Sequence, residues 1–120
     1  MAKYLLLLHG SATPEKDLEP ARFRAIVARH IEWTAKLRAA GMYVASEKLS
    51  GDGFVLRGAG PRAVVKDGPY AESKEVVAGF YLIEAESDER ALDVARECPH
   101  LEVGAVEVRK TFEVRKVQPG

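Results

Sequence analysis

One cysteine, one tryptophan and no excess of charge of either sign mark this sequence of 120 residues. A single thiol closes no internal disulfide, so the fold must rest on its core, and a reducing cytoplasmic setting is the natural expectation. Eighteen basic residues balance eighteen acidic ones. Without a basic run there is no electrostatic footprint for nucleic acid. The apolar run from Tyr4 to Leu8 stops at His9-Gly10, far short of a membrane span or a signal-peptide core, so no membrane partner is expected. Low-complexity tracts and internal repeats are missing as well. The three histidines and Cys98 lack the close spacing of a metal motif, so neither a metal nor a cofactor is expected. Gly51-Asp52-Gly53 and Gly58-Ala59-Gly60 lack the strand-loop-helix setting of a phosphate-binding loop and read as turns.

What remains is an ordinary globular composition, 47% hydrophobic and 30% charged, sized for a single domain over residues 1–120. Lys3 to His9 is a continuous apolar run, the pattern of a strand buried on both faces. Ala21 to Ala40 is helical, with Phe23, Ile26, Val27, His30, Trp33, Thr34 and Leu37 three or four apart. Pro20 suits its first turn and Gly41 its end, with Lys36 and Arg38 well placed for the helix dipole. The residues from Glu15 to Pro20 read only as a polar approach to that helix.

Met42 to Leu49 is a second strand, and Phe54 to Arg57 a short edge strand. Ala63 to Lys66 is strand-like and leads into a turn at Asp67-Gly68-Pro69, followed by a strand from Val76 to Ala85. Ser87 is the expected N-cap of a second helix with inner stripe Ala91, Leu92, Ala95 and Cys98, which Pro99 stops. A last strand runs from about Ala105 to Val114, with Val106, Val108, Phe112 and Val114 on one face. The order is strand, helix, strands, helix, strand. It predicts an α+β fold, a ferredoxin-like split βαβ antiparallel sheet with two helices on one face. The other face needs a cover, and a second copy is the simplest one, giving a homodimer. The charged side of the last strand, Glu107, Arg109, Glu113 and Arg115, then either pairs with the partner or faces water.

The stretch Asp67-Gly68-Pro69-Tyr70-Ala71-Glu72-Ser73-Lys74-Glu75, followed by Gly79-Phe80-Tyr81-Leu82-Ile83, resembles the signature of the DGPF-domain branch of the YCII-related family. The usual form reads Asp-Gly-Pro-Phe-Ala-Glu-Thr-Lys-Glu and then Gly-Gly-Phe/Tyr-Tyr-Leu-Ile. Here Tyr70 stands for Phe, Ser73 for Thr and Ala78 for the first Gly. Lys3 to Leu8, Leu37 to Gly41, Cys98-Pro99 and Val106 to Arg109 extend the resemblance over nearly the whole chain. It implies a dimeric α+β barrel. It also implies one of two roles: a small-molecule enzyme, or a non-catalytic accessory module linked to sigma-factor regulation.

His30 is the leading candidate for chemistry, because a titratable group among apolar neighbours is where pKa perturbation and function coincide. The plain alternative is a partly buried histidine satisfied by one carbonyl or one water. The resemblance implies a general acid–base role in proton transfer or elimination, since in that family a histidine eleven residues before the helix-ending glycine works with an aspartate. His30 stands eleven before Gly41, but the aspartate position is Cys98, so the dyad is broken in its expected form. Cys98 itself reads as a small buried hydrophobe near a helix C-terminus, where a thiolate is disfavoured. Asp67 and Tyr70, beside Glu72 and Lys74, are turn groups that could contact a small organic ligand at a pocket mouth. Trp33 and Tyr81 either line such a pocket or belong to the core.

Overall fold

The structure is a computed structural model that describes residues 1–68 and 76–117. Its centre is β1, Ala2–Gly10, whose side chains alternate between two faces as strand geometry requires. A one-turn helix α1, Pro14–Asp17, and the long helix α2, Pro20–Ala39, follow. Next come β2, Tyr43–Lys48, β3, Gly53–Arg57, β4, Val64–Gly68, and β5, Val76–Ala85. Helix α3, Asp88–Ala95, a 3-10 turn at Pro99–Glu102 and β6, Ala105–Lys110, complete the order. Four strands form one sheet in the order β2-β5-β1-β6, every ladder antiparallel. That order, with α2 and α3 as crossovers, fits a ferredoxin-like fold.

Register decides which residues meet. Tyr4 lies opposite Ile83, Leu6 opposite Tyr81 and Val108, and all face the helices. There they join Trp33, Leu37, Met42, Ala91, Val94 and Cys98 in one core, with Leu6 and Ile83 fully enclosed. Tyr4 also donates a 2.5 Å hydrogen bond to Asp88, which ties β1 to the first turn of α3. On the opposite face Leu5 pairs with Leu82 and Leu7 with Phe80, flanked by Arg109 and Glu107. The four apolar residues are only half-covered. Among the described residues of the single chain, the helices cover one face of the first strand and leave the other half-covered.

Several local expectations hold for stated reasons. Pro20 sits in the first turn of α2. Gly41 takes a left-handed φ of 71° beyond its end, where the Gly41 and Met42 N–H groups reach back to the Arg38 and Leu37 carbonyls. Ser87 caps α3 by accepting the Arg90 N–H at 3.1 Å.

Others are corrected. Phe54 to Arg57 is not an edge of the main sheet. It pairs with Val64–Gly68 as a separate two-stranded hairpin. Asp67 and Gly68, expected in a turn, end β4 opposite Phe54 and Gly53, because the hairpin ladder extends to them. The polar approach before Pro20 contains the extra helix α1. Val94, not Leu92, shares the buried stripe of α3, and Leu92 is 45% exposed. Cys98 lies beyond that helix, at the head of the 3-10 turn.

The last strand stops at Lys110, short of the expected Val114. The Thr111 N–H makes a final bond to the Lys3 carbonyl, and β1 then offers no further partner. Phe112 and Val114 are consequently exposed. Tyr70, Glu72 and Lys74 lie outside the described residues. Among the described residues, no helix is long and apolar enough to cross a membrane.

Candidate functional site

Helix α2 turns Ile26, His30, Thr34 and Leu37 toward the sheet, while β5 presents Tyr81 from below. Between them, bounded also by α1 and β2, opens a cavity of about 580 Å3. His30 and Tyr81 both stand in its wall. The His30 Nδ1 lies 2.7 Å from the Tyr81 hydroxyl oxygen, and the two rings are nearly parallel, 14° apart. Thr34 donates a long 3.5 Å bond to the same oxygen. Trp33 stands edge-on to Tyr81 at 4.8 Å between ring centres, so it fixes the phenol from behind.

Burial sets the electrostatics of this pair. It lowers the His30 pKa from its ordinary value, and the charge of nearby His100 lowers it further, against an opposing pull from Glu102. Burial likewise raises the Tyr81 pKa. At neutral pH the pair is therefore a neutral imidazole against a protonated phenol. Where Tyr81 donates, Nε2 carries the ring proton; where Nδ1 donates, Nε2 is the free base. The arrangement can hold one proton at either of two ring positions and pass it along a hydrogen bond.

No carboxylate lies within hydrogen-bond distance of His30 among the described residues; the phenol occupies that place. Glu102 is close enough to affect His30 but is tied to Arg29 at 2.5 Å. Cys98 is buried, and burial pushes its thiol up to about 11, which leaves it protonated and inert.

The expected ligand-binding residues separate. Tyr81 lines the cavity beside His30, Trp33 is buried behind it, and Asp67 sits on the β3–β4 hairpin outside the cavity wall. Tyr70 lies outside the described residues. The three histidines take three different roles. His9 faces the open side of the sheet, where its Nε2 meets Glu107 at 2.8 Å. His100 is buried in the cavity wall, and its Nε2–H donates to the His9 carbonyl at 2.7 Å. Among the described residues, no group of three or more His, Cys, Asp or Glu is arranged to hold a metal ion.

His100 is the site residue whose role the sequence leaves open. Its room is made by two glycines. A Cβ at Gly10 would meet the His100 ring at 3.3 Å, and one at Gly104 would press on His100 Nε2 at 2.6 Å and on the His9 carbonyl. The only available signal was Pro99, which opens the 3-10 turn that carries His100. Seventy residues separate His100 from His30, so no local spacing could have joined them.

An uncharacterized protein of Rhizobium meliloti (strain 1021) is 45% identical over 56 residues, a stretch that covers 45% of this chain and 45% of that protein. The chain thus spans under half the length of that relative. A model of the YCII-related domain matches residues 3–115, nearly the whole of the sheet and both of its crossover helices, and the chain belongs to the YCII-related family.

Proposed function

We propose that this chain is a member of the DGPF branch of its family that binds a small organic molecule in the cavity under α2 and uses His30 as general acid–base in a proton transfer or elimination. One observation carries this reading. An imidazole with a lowered pKa shares a 2.7 Å hydrogen bond with a phenol in the wall of an open cavity. Tyr81 fills the orienting role that the family pattern gives to a carboxylate, holding Nδ1 and leaving Nε2 for the ligand. The test is deuterium uptake from D2O into a panel of enolisable keto acids, read by NMR. Uptake lost in His30→Asn supports the reading. Uptake equal in the variant, or none with any compound together with His30 titrating as a free imidazole, refutes it.

The half-covered sheet face supports a two-fold homodimer, with Leu5, Leu7, Phe80 and Leu82 meeting their copies in a barrel. Sedimentation should then give a dimer that Leu7→Glu converts to monomer; a monomeric wild-type chain sinks it. A second reading, a non-catalytic accessory module linked to sigma-factor regulation, draws on the exposed apolar β3–β4 hairpin. Under that reading, substitutions in the hairpin and not at His30 abolish activity in cells.

A further inference from the structure

The cavity wall is mostly oily. Leu18, Phe23, Ile26, Val27 and Ile31 line one side, and Ile31 stands 67% exposed in the open cleft. Four charged residues also border it: Asp17, Arg38, Glu47 and Lys48. Three of them are accounted for. Asp17 accepts a hydrogen bond from Ser11. Lys48 pairs with Glu15 at 3.4 Å. Glu47 lies opposite Phe80 in the β2–β5 ladder, so the pleat directs it to the other side of the sheet from Ser46, Lys48 and Tyr81.

Arg38 is different. It lies in the last turn of α2 and has no carboxylate partner among the described residues. Its guanidinium stacks 4.5 Å above the ring of Tyr43, whose hydroxyl is itself fixed by Ser46 at 2.8 Å. Stacking holds the guanidinium plane while leaving its N–H edge open, the geometry in which arginine recognises a planar acid. A ligand that covered the exposed apolar wall and supplied one negative charge would satisfy both features at once.

Resting on the reading of the cavity as a small-molecule site, we propose that its ligand is a small carboxylic acid with an apolar body, its carboxylate held by the Arg38 guanidinium and its body lying along α2 toward His30. Arg38 is then a specificity-determining residue.

The full chain titrated by amide NMR with phenylbutyrate, and separately with the uncharged phenylbutanol, tests this. Both probes should shift Val27 and Ile31, and the acid should bind about ten-fold tighter, as one charge-assisted pair allows. Arg38→Gln should bring the two affinities together, Arg38→Lys should keep part of the preference, and Lys36→Gln should keep all of it. Equal binding of acid and alcohol to the wild type, or a preference that survives in Arg38→Gln, overturns this assignment and leaves the cavity reading standing. If neither probe moves a cavity resonance, both fall.

Discussion

The main sheet and the β3–β4 hairpin are built from the same materials, β-branched and aromatic residues in antiparallel ladders, yet they end in opposite states. Ile83 on β5 is 0% exposed, whereas Phe54 and Leu56 on β3 are 74% and 61% exposed. The difference lies in what covers them. Helices α2 and α3 layer one side of the main sheet, while among the described residues no helix layers either side of the hairpin. A two-stranded ribbon without a packed face is marginal in water. The chain's radius of gyration, 16.6 Å, also exceeds the roughly 14 Å of a compact domain of this length. Apolar sequence therefore marks where burial is available, and only a second layer converts it into stability.

The largest effects should sharpen that contrast. Ile83→Ala removes atoms from a fully enclosed position and should destabilise the chain by about 3 kcal/mol in urea unfolding. Phe54→Ala, a larger truncation, should change stability by less than about 0.5 kcal/mol in the same measurement on dilute protein. A loss at Phe54 comparable to that at Ile83 would break the comparison and mean that the hairpin is covered in solution. Next comes Gly104→Ala, whose Cβ would collide with the His9 carbonyl and crowd His100. It should cost about 2 kcal/mol, because the obstacle is backbone rather than a flexible side chain. Gly53→Ala, on the hairpin, meets nothing within 4 Å and should be near neutral.

What could be read from the chain alone divides along the same line. Residues 76–85 were legible as a strand because alternation is local, and Pro20 and Gly41 bracket α2 by their own backbone chemistry. The length of β6 was not legible, since it depends on where β1 begins. Nor was the hairpin's detachment, because Phe54 to Arg57 carries the same pattern whether it joins the main sheet or not. At the site, His30 stood out by its apolar neighbours. Its partner Tyr81, 51 residues away, reads from the sequence as a pocket-lining candidate of a type more often found in the core, and the contact between them is a product of topology. Arg38 drew notice for the helix dipole; its stacking on Tyr43 depends on β2 returning beside the end of α2.

The smallest effect concerns protonation, and it separates the covered side of the sheet from the open one by pH. His30 is held below its ordinary pKa of 6.5 by burial, so the unfolded chain binds its proton more readily than the native one. Stability should be unaffected by this group above about pH 6.5 and should fall as the pH drops through that value toward the native pKa. On the open side, Glu107 is held below 4.5 by its bonds to His9 and Arg109, so its contribution persists to lower pH and is lost only below that value. Urea midpoints measured from about pH 7.5 down to about pH 5 should therefore decline in the wild type and flatten in His30→Asn. Glu107→Gln should leave the decline near pH 6 in place. A slope that vanishes in Glu107→Gln and survives in His30→Asn would assign the titration to the wrong face, and the case for a tuned imidazole beneath α2 would go with it.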